Sequence, residues 1–377
     1  MELLGIPFLL LSILLAVAAP VLALLLWSRA RGAPGLQIAQ RVGLLVICQA
    51  TALLLASVTL NDKFVFYESW SDLLGQDGQS GAVQADPSDA NHRGVRKAGV
   101  QDDVQSGAAV QLLAGLPRID GRQRVFREVV TGPRSGVHAT ISVITPAGYA
   151  DPGQAARRYP VVVFLPGYPG TPSTWLHALN LQSIMDAEIR SHRVAPFIAV
   201  LPQMNVDGTR DTECSDVVGG PRVGTWLGED VPQIVAAQTR ALPPGRAWGI
   251  TGYSTGGFCS VKLAFTDPQS YGSAAALAGY FSPETDTGAG GLFGGNADRL
   301  HQNDPMWLLT HGKAPAVRVL AVWSTQDPST AQPTQAFLAA ARPPLHVDEL
   351  RLTQGGHNTA VWQSVLPQVL AWLGTAA

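Results

Sequence analysis

Charge is scarce in this chain of 377 residues: Asp, Glu, Lys and Arg make up 14% of it, and the net charge is only -2. Lysine is the scarcest of these, with 4 residues against 22 arginines. So even a balance gives no electrostatic footprint for a phosphate backbone, which sets nucleic acid aside as a partner. Cysteine is also sparse, at three residues. No cysteine or histidine pair has metal-ligand spacing, so no zinc site is expected. No glycine-rich dinucleotide fingerprint occurs, and no cofactor is expected.

From two stretches charge is missing altogether. Leu3 to Ser28 and Val42 to Asn61 carry no ionisable side chain, and each is long enough to cross about 30 Å of hydrocarbon as a helix. Glu2 is the only charge ahead of the first run, and the basic Arg29 and Arg31 follow it. That order is the reverse of a cleaved secretory signal. Residues 1–61 are therefore read as an anchor with two transmembrane helices, 3–28 and 42–61. Arg29, Arg31 and Arg41 fall between the runs, so the positive-inside rule keeps that loop cytoplasmic and puts everything after Asn61 outside. With no ionisable group at depth, a transport pathway is not expected.

Residues 62–123 read as an interfacial segment and linker. "NDKFVFYESWSDLLG" has aromatics suited to a membrane surface. Gln76 to Gln105 is then rich in Gly, Ser, Gln, Asp and Ala with almost no large apolar residue, a composition that cannot bury a core. As a coil it spans roughly 30 Å.

Residues 124–377 read as an α/β domain. "RVFREVVTG" and "VHATISVITP" alternate with period two around a turn, which predicts an antiparallel pair. Short apolar runs follow at 159–167, 196–202, 247–252, 273–281, 317–323 and 345–352, separated by helical stretches such as "LHALNLQSIMDAEIRSHR" and "AQPTQAFLAAAR". That alternation predicts a mostly parallel sheet flanked by helices on both faces.

One of those runs leads into "GITGYSTGGFC". With 39 glycines in the chain a G-x-S-x-G match arises readily by chance, so the setting decides. Ser254 lies where a buried strand gives way to a helix, a turn too tight for side chains at 252 and 256, and both are glycine. A serine hydroxyl needs a base, and His357 in "QGGHNTAVW" follows the last strand in a glycine-flanked loop. The imidazole needs a carboxylate. Asp327, just past the strand ending at Trp323, completes the chain order Ser, Asp, His and is preferred to Asp304 in "HQNDPMW". Two backbone donors are needed for the oxyanion. Thr255 supplies one by position, and Tyr168 is chosen for the other because Pro166 and Pro169 have no N–H to give.

"RRYPVVVFLPGYPG", "GYSTGGFC" and "GGHN", in that order, resemble the putative-esterase family that includes esterase D (S-formylglutathione hydrolase) and the actinobacterial mycolyltransferases, here in a membrane-anchored form. The resemblance covers roughly Arg124 to the C-terminus. It implies an α/β-hydrolase fold with Ser254, Asp327 and His357 as a triad and Tyr168 with Thr255 at the oxyanion hole. The mycolyltransferase substrate does not carry over, because two spans stand here in place of a cleaved signal.

Outside the membrane, Cys214 and Cys259 are expected to pair. Between Phe281 and Val317 an excursion carries Phe293, Trp307, Leu308 and Leu309, and Phe293, Trp307 and Leu308 are the candidates for an acyl pocket. "VDGTRDTECSDVVGGPRVGTW" is the candidate for the other wall. The chain thus reads as a membrane-anchored extracytoplasmic serine esterase or acyltransferase acting on acyl esters of lipid or cell envelope. The contrasting class is a non-catalytic scaffold or adhesion protein on a hydrolase fold.

Overall fold

A computed structural model describes residues 6–64, 124–208, 210–284 and 291–374. The tether expected at Gln76 to Gln105 lies outside the described residues. The chain divides into two compact units, Met1–Gln105 and Ser106–Ala377.

In the first unit, helix α1 spans Ile6–Trp27 and helix α2 spans Pro34–Phe64. The second helix starts before the charge-free run because Gln37, Gln40 and Arg41 are sound helix formers. Arg41 therefore belongs to α2 and not to the loop, and its guanidinium lies 5.4 Å from the centre of the Trp27 ring. The 31 residues of α2 make a helix about 46 Å long, longer than about 30 Å of hydrocarbon. Leu14, Leu24, Ile38 and Val46 are all more than half exposed, unlike core helices of a soluble domain. Three hydroxyls are satisfied within their own helices. Ser12 donates to Leu9 O, Thr51 to Ile47 O and Cys48 O, and Thr59 to Leu55 O. That pairing suits an apolar surrounding, where an unmet hydroxyl is costly.

The second unit is built on eight strands: β1 Val125–Thr131, β2 His138–Ile144, β3 Val161–Leu165, β4 Ile198–Pro202, β5 Gly245–Tyr253, β6 Tyr271–Leu277, β7 Arg318–Ser324 and β8 His346–Leu352. Their order across the sheet is β1-β2-β4-β3-β5-β6-β7-β8. The β1–β2 and β2–β4 pairings are antiparallel and the rest are parallel. Strict alternation divides the core between the two faces. Val161, Val163 and Leu165 pack with Ile198, Val200, Ile250 and Phe258 on one side. Val162 and Phe164 pack with Ala199, Leu201, Trp175 and Leu366 on the other. Alanine at 274, 275 and 276 keeps β6 thin in the middle of the sheet, so helices approach closely on both sides. Gly257 and Gly279 touch there, a Cβ on Gly257 standing 3.0 Å from Gly279 Cα.

Because the six strands from β4 to β8 run parallel, the loops after their C-terminal ends gather on one edge. Those loops carry 166–170, 203–222, Ser254, 278–284, Asp327 and His357. The longest, 203–222, is tied down by a disulfide between Cys214 and Cys259 with Cα atoms 5.9 Å apart.

Closing a loop of 45 residues removes chain entropy from the unfolded state worth about 4 kcal/mol. Reduction, or Cys259→Ala, should lower the unfolding free energy by about that amount, read as a lower urea midpoint. Identical midpoints with and without reductant would refute it.

Candidate active site

At the end of β5 the chain reverses at Ser254, which has φ 54° and ψ -124°, and enters the helix Thr255–Thr266. A positive φ at a residue other than glycine costs on the order of 1–3 kcal/mol. The surroundings enforce it: Ser254 N donates to Leu277 O at 2.9 Å, and Ser254 O accepts from Gly257 N at 2.8 Å and Phe258 N at 3.1 Å. A Cβ on Gly252 would lie 2.3 Å from Gly256 O, and one on Gly256 would lie 2.4 Å from Leu165 O. Both glycines are therefore required by backbone contact. Ser254 is partly exposed, and among the described residues its hydroxyl has no hydrogen-bond partner.

Asp327 follows β7 and is buried, with 4% of its side chain exposed. Its carboxylate accepts from Ser329 Oγ at 2.5 Å, Thr330 Oγ1 at 2.8 Å and His357 Nδ1 at 2.8 Å. Burial alone would raise its pKa, but the hydrogen bonds from Ser329, His357 and Thr330 outweigh it and hold the carboxyl below the ordinary aspartate value. An ionised Asp327 accepts a hydrogen bond from Nδ1–H, which keeps the proton on that nitrogen and leaves Nε2 of His357 as the nitrogen with the lone pair. Asp304 serves another purpose. It is the N-cap of the helix Pro305–His311, accepting from Trp307 N at 3.0 Å and from Ser282 Oγ at 2.8 Å.

Rings carry His357 towards the serine. Tyr253, adjacent to Ser254, stacks on Trp362 at 4.4 Å, and the edge of Trp362 meets His357 at 5.1 Å. The histidine loop is held from behind, since Ser324 Oγ donates to Gly355 O and Gly355 N donates to Gln326 Oε1. No hydrogen bond joins His357 to Ser254 among the described residues, an arrangement common before substrate binds.

Over the elbow lies the loop 166–170. A Cβ on Gly167 would stand 3.1 Å from Ser254 Cβ, and one on Gly170 would stand 2.8 Å from the Tyr253 hydroxyl oxygen. Asn205 pins this loop, its amide donating to Gly167 O at 3.0 Å and to Gly170 O at 2.6 Å. Neither Thr255 N nor Tyr168 N donates to a protein acceptor among the described residues. Both amides are thus available to a ligand oxygen, and the Tyr168 side chain is 39% exposed beside them.

Thr255 Oγ1 donates to Asp211 Oδ2 at 2.8 Å. Burial raises the pKa of Asp211, and hydrogen bonds from Glu213 N and Thr255 and the charge of Lys262 counter part of that rise. Lys262 is fully buried, and burial pushes its pKa down to about 7 against the raising effect of Glu213, Asp216, Asp267 and Asp211.

The proposed acyl-pocket residues have other neighbours. Phe293 is buried against Val217, Leu292 and Leu300. Trp307 stacks between His301 at 4.3 Å and His311 at 5.0 Å. Phe293 and Leu308 line a cavity of about 910 Å³ whose other walls include Asp216, Arg222, Lys262 and Arg299, and Ser254 is not among its lining residues. These described contacts do not reach Ser254. Sequence reasoning did not find Asn205, Asp211 or Trp362. Its only signal for the first two was their place in a loop after a strand on the same edge.

The family described as "Putative esterase" matches residues 133–373. An uncharacterized protein of Corynebacterium glutamicum is 26% identical over 362 residues, covering 90% of this chain and 78% of that one. Among solved structures, the chain is similar to a ferulic acid esterase, with TM-score 0.58, 17% identity, and coverage of 67% of this chain and 97% of that one. An S-formylglutathione hydrolase from Agrobacterium tumefaciens gives TM-score 0.56 at 14% identity, over 67% of this chain and 96% of that one. A fluorophosphonate-binding serine hydrolase of Staphylococcus aureus gives 0.53 at 17% identity, over 66% and 97%. At these identities the likeness is one of fold.

The two acids make separable predictions. Asp327→Asn should lower kcat by about 10³-fold or more, while Asp304→Asn should leave turnover near wild type, since asparagine also caps a helix. Asp327→Asn should also cost stability at neutral pH. A carboxyl with a lowered folded pKa contributes stability above its unfolded pKa and loses it as pH falls through the folded value. The stability gap between the two proteins should therefore close on acidification, measured by denaturant unfolding from neutral pH downward. A gap that widens instead would show that Asp327 is not held as the carboxylate.

Proposed function

The chain belongs to the putative-esterase family, and on that premise we propose that it cleaves carboxylic esters through an acyl-enzyme on Ser254. The observation that carries this reading is the strained Ser254 elbow on the same sheet edge as the buried Asp327–His357 pair. Ser254 Oγ attacks the ester carbonyl as His357 Nε2 takes its proton. The carbonyl oxygen becomes an oxyanion that accepts from Thr255 N and Tyr168 N. Collapse of the adduct breaks the bond to the alkoxy oxygen, and the imidazolium returns its proton to the departing alcohol. Water then attacks the acyl carbonyl carbon as His357 Nε2 takes one of its protons, and collapse of this second adduct breaks the bond to Ser254 Oγ, which recovers its proton from the imidazolium as the acyl group leaves as a carboxylic acid. An acceptor hydroxyl in place of water makes the second half an acyl transfer by the same route.

The substrate side of the proposal rests on the anchor. Two helices long and apolar enough to span a bilayer precede the catalytic unit, and Arg29 and Arg31 between them support, by the positive-inside rule, an orientation with that unit outside the cytoplasm. Joining a catalytic unit to such an anchor would raise its effective concentration at acyl esters of lipid or envelope.

Ser254→Ala should abolish turnover of a nitrophenyl acylate and labelling by a fluorophosphonate probe, with the unfolding midpoint nearly unchanged. Retained turnover would remove Ser254 as the nucleophile and favour a protein that only carries the hydrolase fold. A second comparison tests the anchor. Residues 124–377 freed of both helices should match the full chain on the soluble ester, yet restore the envelope acyl-ester profile of a strain lacking the protein far less well, as read by lipid extraction and mass spectrometry. Equal restoration would make a diffusible ester the substrate class.

A further inference from the structure

Thr255, Cys259 and Lys262 stand at positions i, i+4 and i+7 of the helix that follows Ser254, and so share one stripe of its surface. All three grip the same short segment, 211–215. Thr255 Oγ1 donates to Asp211 Oδ2 at 2.8 Å. Cys259 is bonded to Cys214. Lys262 Nζ donates to Glu213 O and Cys214 O at 3.0 Å each and to Ser215 Oγ at 2.7 Å.

The gripped segment is shaped to present Asp211. Glu213 and Cys214 both adopt left-handed backbone, φ 45° and 49°, a conformation that neither side chain favours. That turn lets Glu213 N donate to Asp211 Oδ1 at 2.8 Å, so each carboxylate oxygen has its own donor and the group cannot swing. Tyr280 closes the far side, donating to Glu213 Oε1 at 2.9 Å and stacking on Phe258 of the same helix at 4.7 Å. A buried carboxylate is costly where an apolar pair would fill the space. Here it is spent on a single side chain, that of the residue directly after the nucleophile.

Threonine is stiff about χ1. Fixing Oγ1 therefore fixes Cα and the direction of the Thr255 amide, which is the group that would meet the oxyanion. We propose that Asp211 is a positioning residue for the oxyanion step, holding the Thr255 amide in line through the Thr255 hydroxyl. The inference rests on the reading of Ser254 as nucleophile and Thr255 N as oxyanion donor. Since the oxyanion exists only in the transition state and the tetrahedral adduct, a loosened amide costs kcat and leaves KM alone.

The test uses the full-length protein in detergent, with Asp211→Ala, Thr255→Val, Thr255→Ser, the double variant Asp211→Ala/Thr255→Val, and Ser254→Ala. The readouts are kcat and KM on nitrophenyl acetate, Ki for an alkyl boronic acid that forms a tetrahedral adduct, and the unfolding midpoint. Asp211→Ala and Thr255→Val should each lower kcat and weaken boronate binding by about 10- to 100-fold with KM within about twofold. The double variant should be no worse than the poorer single variant, and Thr255→Ser, which keeps the hydroxyl without the β-branch, should recover most of the turnover lost in Thr255→Val. Unchanged kcat and Ki in Thr255→Val, a loss confined to KM, or effects that multiply in the double variant would overturn the proposal. Should Asp211→Ala fail to fold, the contrast between Thr255→Val and Thr255→Ser still decides. Full turnover in Ser254→Ala would instead defeat the underlying reading, an outcome distinct from an inert Thr255→Val beside a dead Ser254→Ala.

Discussion

The backbone crossing at Gly252 and Gly256 is the constraint on which the rest of the catalytic unit depends. There β5, the first turn of helix Thr255–Thr266 and the end of β3 approach so closely that a single methyl group on either glycine would overlap a carbonyl oxygen. The crossing forces the chain through positive φ at Ser254, and the strain is held by the bond from Ser254 N to Leu277 O and those from the amides of Gly257 and Phe258 to Ser254 O. The same crossing frees the Thr255 amide, because a residue in the first turn of a helix has no carbonyl behind it to accept. Serine exposure, amide availability and the seat of the 166–170 loop are one consequence of two absent side chains.

Two aspartates on this edge, buried Asp327 and half-buried Asp211, are tuned in opposite directions, and the difference lies in donor count and kind. Asp327 has two hydroxyls and an imidazole on its oxygens, enough to overcome burial and hold its pKa down. Asp211 has one hydroxyl and one amide, and burial dominates. A strongly solvated carboxylate suits a partner that must become an imidazolium during the reaction. A carboxylate whose partner is a neutral hydroxyl has no such charge to stabilise, and its value is geometric.

Much of this was legible in the sequence, for reasons tied to residue type. Ser254, Asp327 and His357 each need a particular functional group in a loop just past a strand, so pattern and chemistry together single them out. The strands were legible because burial on both faces demands unbroken apolar runs. Contacts between distant loops were not. Asp211 and Thr255 are 44 positions apart, and nothing local in "TRDTECS" marks which of its acids will meet the elbow. The apolar excursion is less legible for a related reason: Phe293, Trp307 and Leu308 announce burial without naming a partner, and Phe293 packs against Val217, Leu292 and Leu300 while Trp307 stacks on His301 and His311. The start of α2 escaped because absence of charge defines a hydrocarbon run, whereas a helix continues through Gln37, Gln40 and Arg41.

The disulfide, the buried lysine and the aspartate bond all attach the 211–215 segment to one stripe of one helix, and the stripe begins at the residue after Ser254. A covalent bond fixes the middle of the segment, and a buried amine with three acceptors fixes its end. Burial pushes the Lys262 pKa down to about 7, yet donating to all three acceptors takes the ammonium form, since a neutral amine has only two N–H groups. Placing the rigid fastenings at Cys259 and Lys262, away from the reacting atoms, leaves only a hydrogen bond at Thr255. The amide there can be aimed without being locked, and that is the condition under which donors tighten as negative charge develops on the substrate oxygen.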